Sequence, residues 1–316
     1  MLNSLYNIWT LTRVTTRVLT KMASFIRIAK TSSFARYTRI ATVTAFARCL
    51  GTHPAPLRGR SALVTGSTSG IGLGIARALA ESGCDVIYTG FADEKLLADL
   101  QEDFRNYNGV KATYMPADLT RPTEVERLCT ETKRHYTDGV DIVVNNAGFQ
   151  HTSPIESFPL ATWDAMMAAM LTAPFLIIKH LLSAMKAKGW GRIINISSAH
   201  GLVASVEKCA YVSAKHGING LTKVVALETA GTGVTCNAVC PGWVLTPLVE
   251  KQIRQLMEDH NIAWKDAQTM LLSRKQPSNG FVTPEQIGDM VTFLCSQAVN
   301  QMTGSILSID GGWTAQ

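Results

Sequence analysis

The sequence predicts an α/β fold: one domain over residues 57–316, a doubly wound parallel sheet with a helical lid over residues 246–280. Three observations carry that prediction. Short apolar runs alternate with amphipathic stretches along the body, which is the order of a βαβ chain. The runs are apolar at successive positions instead of every second one, as in strands covered on both faces. The first run ends at Gly66, Gly70 and Gly72, which lead into a helical pattern.

Each element follows from local signals. Residues 61–65 form the first strand, a short apolar run closed by Gly66. Residues 73–82 have helical spacing, and Gly83 stops them. Residues 85–89 are the second strand and 93–107 a charged amphipathic helix. Residues 111–115 are the third strand, running on to Asp118 and Leu119, and 123–136 are helical. The fourth strand, 141–145, ends in Asn145-Asn146-Ala147-Gly148. A helix over 160–187, a strand over 191–197, a helix over 208–230 and strands over 234–239 and 305–309 complete the sheet. The segment 246–280 is rich in helix formers but has no strand partner, so it reads as a lid over the sheet's carboxyl edge, where open α/β sheets bind ligands.

Composition narrows the function. At 46% hydrophobic and 17% charged residues the chain is not disordered. The net charge of +6 is uneven: residues 1–60 hold ten Lys and Arg and no acid, leaving 20 basic and 24 acidic residues in the body. A body at −4 has no bulk reason to bind nucleic acid. Seven cysteines, an odd number, argue against a disulfide framework. Cys236 and Cys240 have no histidine beside them and read as buried thiols, so no metal is expected. The stretches 229–249 and 290–309 are too interrupted by Gly and polar residues to span a membrane. The leader and linker, 1–56, are acid-free, with Arg13, Arg17 and Lys21 on one helical face. This is the composition of a transit peptide, predicting a mature start within 40–57 and a mitochondrial matrix location, with a cytoplasmic one as the alternative.

The chemistry-bearing residues lie at strand ends. Glycines at a strand-to-helix turn let a pyrophosphate approach the backbone, and the helix N-terminus favours the anion. Tyr211 and Lys215 are four apart on one helix and face the same way. An ammonium beside a phenol favours the phenolate, which makes Tyr211 a general acid/base for an alcohol–ketone pair. Ser198, at a strand end, can hydrogen-bond the reacting oxygen. Lys208, one turn before Tyr211, can anchor an anion while the tyrosine addresses a hydroxyl.

In this combination and order, Thr65-Gly-x-x-x-Gly-x-Gly72, Asn145-Asn-Ala-Gly148, Ser198, Tyr211-x-x-x-Lys215 and Pro241-Gly242 resemble the short-chain dehydrogenase/reductase family over residues 57–316. The resemblance implies a Rossmann-like domain, a nicotinamide cofactor and hydride transfer. It implies that Tyr211 is the acid/base and Ser198 the partner of the reacting oxygen, and that Lys215 tunes Tyr211 and holds the nicotinamide ribose. The cofactor would meet Gly66, Ser69, Gly70, Ile71, Gly72, Phe91, Asp118, Leu119, Asn145, Ala147, Gly148, Pro241, Gly242, Val244 and Thr246. Finer residues resemble a subgroup that oxidises D-3-hydroxybutyrate to acetoacetate with NAD. By that resemblance Gln150, His200, Lys208 and Gln252 grip the carboxylate, Trp243 and Trp313 wall the pocket, and the enzyme is a homotetramer without an integral membrane part. The other readings are a dehydrogenase of another hydroxy acid or carbonyl lipid intermediate, and a catalytically weak NAD-binding scaffold.

Two positions depart from the family pattern. Met170 stands where most relatives carry an Asn that holds a water of the proton relay, and a thioether cannot replace it. The acid expected about 20 residues past the glycines is missing at the second strand's end. Thr89-Gly90-Phe91 stands there with Asp93 beyond, and no Arg follows immediately to receive a 2′-phosphate; the resemblance implies NAD, since the subgroup carries a similar Gly-Phe.

Overall fold

The computed structural model describes residues 55–273 and 275–315, with Leu248 described by its backbone alone. The leader, on which the targeting expectation rests, lies outside the described residues. The folded body includes the stretch read as linker from Ala55 onward. Leu57 is buried, its N–H donates to Ser82 O at 3.0 Å, and Ala55 packs against Gly83.

Seven parallel strands run in the order β3-β2-β1-β4-β5-β6-β7. They are β1 Ser61–Val64, β2 Asp85–Tyr88, β3 Ala112–Tyr114, β4 Ile142–Asn145, β5 Gly191–Ile196, β6 Val234–Pro241 and β7 Ile306–Ile309. The chain reverses direction of travel across the sheet between β1 and β4, which opens a crevice at their carboxyl ends. The helices are α1 Gly70–Glu81, α2 Glu94–Phe104, α3 Pro122–His135, α4 Leu160–Met167, α5 Ala173–Lys188, α6 Cys209–Thr229, α7 Pro247–His260, α8 Trp264–Ser273 and α9 Pro284–Cys295. One apolar cluster, with Ile75, Leu79, Val86, Phe104 and Ile287, fills one face of the sheet. A second, with Leu128, Ile177, Leu181, Ile193 and Val225, fills the other. Each such side chain contributes about 1.5–3 kcal/mol on burial, so the clusters outweigh the surface ion pairs. Cys236 and Cys240 are buried free thiols of β6.

The sequence reading missed α9. Its signal was present in Thr283-Pro284-Glu285-Gln286: Thr283 and Gln286 form a reciprocal capping box, and Pro284 fills the first turn. This helix lies against α1 at a glycine-to-glycine approach. A Cβ on Gly74 would stand 2.6 Å from Pro284 Cβ, and one on Gly288 would stand 2.8 Å from Gly74 O.

The helix expected over 160–187 is interrupted by a π turn at Ala168–Thr172. Pro174 has no N–H to give Met170 O, so the α-ladder cannot continue there, and Ala173 N donates to Ala168 O instead. The extra residue turns Met170 inward, where it is 2% exposed. The whole run, Leu160–Lys188, is 29 residues long and apolar enough to cross a membrane by length and composition. Half of its most apolar window is buried inside the fold, and Ile177, Leu181 and Met185 belong to the second core, so it is a core helix.

The segment 246–280 forms α7, α8 and a turn. Its neck is pinned: Leu245 N donates to Val282 O at 3.0 Å and Val282 N to Trp243 O at 2.9 Å. It has its own small core of Val249, Ile253 and Ala267, apart from the two large clusters.

Candidate active site

The carboxyl ends of β1, β4, β5 and β6 open into one cavity of about 700 Å³, within the range of small-molecule and cofactor sites. At its centre the turn after β1 carries Gly66 and Gly70 at φ +61° and +54°. The segment that follows the neighbouring strand β4 is buckled onto that turn. Asn146 Nδ2 donates to Thr65 O at 2.8 Å and Gly66 O at 3.0 Å, while Thr65 Oγ1 accepts from the N–H groups of Asn146 and Ala147. A Cβ on Gly66 would stand 2.8 Å from Ala147 Cα. Ser69, the N-cap of α1, makes no side-chain cap bond, and the first turn holds no acid. The amino-terminal N–H groups of α1 are therefore left for an anion, the fit a pyrophosphate requires.

At one end of the cavity stand Phe91, Asp118 and Leu119. Thr120 donates to the Asp118 carboxylate from its hydroxyl at 2.7 Å and its N–H at 3.0 Å, and these bonds hold that carboxyl below its usual range. Among the described residues no Lys or Arg lines this end, and a neighbouring hollow is lined by Asp93, Asp118 and Glu124.

At the other end α6 presents Tyr211 and Lys215. Lys215 is 4% exposed, its Nζ donates to Ile196 O at 2.7 Å, and it lies 5.6 Å from the Tyr211 ring centroid. Burial brings its pKa down to about 8. The tyrosine differs from the sequence expectation. Burial raises its pKa, and hydrogen bonds from Ser198 and Gln150 offset this only in part. The Lys215 ammonium, meanwhile, donates to the Ile196 carbonyl. Ser198 Oγ accepts from His200 N at 3.1 Å, and Gln150 Oε1 accepts from Lys208 Nζ at 2.9 Å. One network thus joins Ser198, Tyr211, Gln150 and Lys208.

Trp243 and Trp313 stack at 6.2 Å and form an apolar floor beside this network. His200 meets Trp313 edge-on at 5.0 Å and Tyr211 at 5.9 Å, and its Nε2 pairs with Ser205 Oγ at 2.9 Å. Burial, helped by the ammoniums of Lys208 and Lys275, takes its pKa from 6.5 to about 4. The ring is neutral in the folded protein, and charging it costs roughly 3 kcal/mol. The unfolded chain binds this proton first, so stability falls as pH drops from 6.5 towards 4 and is unaffected by this group above 6.5. Urea midpoints across that window should fall less steeply for His200→Gln than for the unaltered protein; parallel curves would refute the assignment.

Nearly all predicted site residues line this cavity, Ser69, Ile71, Gly148, Val244, Thr246 and Gln252 among them. Gln252, on the segment read as a lid, stands at the wall. Asn145 and Pro241 do not line it. Asn145 Nδ2 donates to Asn195 Oδ1 at 2.8 Å behind the wall, and Pro241 ends β6, leaving Gly242 as the exposed neighbour. Met170 lies beneath Gly148, its Sδ 3.0 Å from where a Cβ there would stand, and Lys215 Nζ is 3.9 Å from the same point. The sequence reading gave no role to Asn146, whose amide locks the glycine turn, or to Lys275. The first had a signal in its motif; the second had none.

A phenol and a buried ammonium at the far end of a dinucleotide-sized cleft make this an oxidoreductase of the nucleotide-binding α/β class. Residues 66–314 match the family model described as enoyl-(acyl carrier protein) reductase. The chain is 51% identical over 260 residues to the D-beta-hydroxybutyrate dehydrogenase of Cupriavidus necator, covering 82% of this chain and all of that one. It is 45% identical to the D-beta-hydroxybutyrate dehydrogenase of Rhizobium meliloti, covering 81% of this chain and 99% of that one. The solved structure of L-sorbose reductase from Gluconobacter frateurii with NADPH and L-sorbose is similar at a TM-score of 0.79 and 26% identity, covering 84% of this chain and all of that one. The chain belongs to the short-chain dehydrogenase/reductase family.

Proposed function

We propose that the protein oxidises D-3-hydroxybutyrate to acetoacetate with NAD, and catalyses the reverse. The observation that carries this is the network from Tyr211 through Gln150 to Lys208, an acid/base and a carboxylate anchor side by side over the Trp243–Trp313 floor. The glycine turn and α1 would hold the pyrophosphate, Asp118 and Leu119 the adenosine end, and Lys215 the nicotinamide ribose. NAD when bound supplies the hydride acceptor, and its positive nicotinamide favours the phenolate.

Lys208 and Gln150 bind the carboxylate, and the tryptophans limit the length of the acid and exclude water. Ser198 donates to the substrate oxygen and orients its hydroxyl towards Tyr211, which takes the proton at its phenolic oxygen. Lys215 stabilises the deprotonated tyrosine electrostatically. Asp118 and Glu124 are paired with Arg121 and Arg127, so Asp93 is the acid beside Phe91 that would disfavour a 2′-phosphate, which supports NAD over NADP. The reading is tested by following NADH formation with D- and L-3-hydroxybutyrate and with either cofactor. D-selective turnover and a higher kcat/KM for NAD are expected. Turnover of the L-acid alone would refute the substrate, and a higher kcat/KM for NADP would refute the cofactor.

Met170 puts a weak acceptor beside Lys215, where relatives of the family carry Asn. Catalysis is therefore slowed, not lost, and Met170→Asn should raise kcat. Unchanged turnover in a variant that still binds NADH would show that backbone carbonyls and water already suffice.

The proposed assembly is a homotetramer, supported by exposed Phe175 on α5 and Val224 and Leu227 on α6, and testable by sedimentation. The proposed compartment is the mitochondrial matrix. The relatives named above are bacterial, so this rests on the leader's composition alone, and an intact Met1 on the native protein would count against it.

A further inference from the structure

A second cation stands next to Trp313, a lining residue at the substrate end of the cavity, and the mechanism above leaves it unused. Lys275 follows α8, and its ammonium lies 5.8 Å from the ring centroid of Trp313. The ammonium of Lys208 lies 5.9 Å from that of Trp243, and the two indoles stack. The floor of the pocket thus has one ammonium at each of its rings.

The base of Lys275 is fixed in place. Its neighbour Gln276 is wholly buried, accepts from Trp243 N at 2.8 Å through Oε1 and donates to Gly280 O through Nε2. Gly242 and Gly311 are pressed against that side chain, and a Cβ on Gly242 would stand 2.5 Å from Gln276 Oε1. A solvated surface lysine would have no such mooring. Lys275 is half-buried, and no carboxylate pairs with it or with Lys208 among the described residues. Burial first, and the charge of Lys275 second, lower the pKa of Lys208. Two like charges held at one apolar floor repel unless an anion lies between them. His200, edge-on to Trp313, is neutral and cannot compensate.

We propose that Lys275 is a second carboxylate anchor, and that the acid's carboxylate is held between Lys208 and Lys275 over the paired tryptophans. The proposal takes its substrate from the reading above, and it names what selects a free acid over the ester or thioester of the same carbon chain. With two cations on one anion, the neutral derivative loses both contacts, and each lysine alone keeps only part of the preference.

The test is Lys275→Met in the full chain, which keeps the apolar stem over Trp313 and removes the charge. KM for D-3-hydroxybutyrate should rise about tenfold, the loss of one charge-assisted contact, while kcat and KM for NAD stay nearly unchanged. Reduction of ethyl acetoacetate should be unaffected, so the preference for free acid over ester falls by the same factor. Acetate, read by indole fluorescence of the NADH complex, should bind about tenfold more weakly, and Lys275→Arg should restore most of its affinity. Unchanged KM and acetate affinity would overturn the proposal, as would an equal loss with the ester, which marks a structural effect. If Lys275→Met fails to fold, Lys275→Gln is read by the same criteria. If the unaltered protein does not oxidise 3-hydroxybutyrate, the substrate reading fails, and the acetate measurement still decides the role of Lys275.

Discussion

Tyr211→Phe should lower kcat/KM by about three orders of magnitude, within the range that a positioned acid/base contributes, and leave NADH affinity within about twofold. The change removes one oxygen and nothing else of the packing. The ring keeps its edge contact with His200 at 5.9 Å and its place beside the Lys215 ammonium. The hydrogen bonds with Ser198 and Gln150 are lost, but both partners face the cavity and can turn to water. No other described group near the Ser198 hydroxyl can take a proton near neutrality. His200 has been driven down to about 4, and Lys215, at about 8, is committed to the Ile196 carbonyl. Turnover above a tenth of the unaltered rate would mean that a different group takes the proton. A parallel loss of NADH binding would mean that the tyrosine supports the cleft rather than the reaction.

Gly72→Ala should be the most damaging single-methyl change in the cleft. Its Cβ would stand 2.2 Å from Gly66 O and 2.5 Å from Asn146 Nδ2. Both obstacles belong to the hydrogen-bonded buckle between the first turn and Asn146, so neither moves alone. Overpacking of this kind costs roughly 1–3 kcal/mol, and displacement of the turn disturbs the N–H groups meant for pyrophosphate. A lower Tm together with NADH affinity weakened by about tenfold or more is expected. A variant with normal Tm and normal NADH affinity would show that the phosphates do not lie at this turn. Gly220→Ala is the control, because a Cβ there meets nothing within 4 Å.

Much of this architecture was legible because strands buried on both faces must be apolar throughout. β1, β2, β4, β5 and β6 stand where such runs stand in the sequence. The catalytic end was legible because Tyr211 and Lys215 are one helical turn apart, a spacing that fixes their common direction. What stayed hidden depends on contacts between distant segments. The π turn arises from the missing N–H of Pro174, a local cause whose effect on Met170 needs the surrounding core to be visible. The raised pKa of Tyr211 arises from burial, and the bond of Lys215 to Ile196 O joins helix to strand; neither can be read from spacing. The step from Asn145 to Asn146 turns one amide into the sheet and the next to the glycine turn, so a motif read as a block mixed a structural residue with one of the cleft. Lys275 lies 67 residues from Lys208, and only its place beside Trp313 shows that its charge reaches Lys208.

The glycine-to-glycine approach of α1 and α9 bears on how the cleft changes when it fills. With Pro284 against Gly74 and Ala78 against Gly288, α1 has no slack in which to shift. The two walls of the cleft are therefore mechanically unequal. The phosphate wall is an anvil, held by the contacts of α1 with α9. The opposite wall, α7 and α8, has its own small core and hangs from the pinned neck at Val244 and Val282. Motion that follows the acid into the pocket belongs to that wall alone. On the reading proposed above, cofactor first and acid second is the expected order of assembly, with any closure confined to the wall that has its own small core.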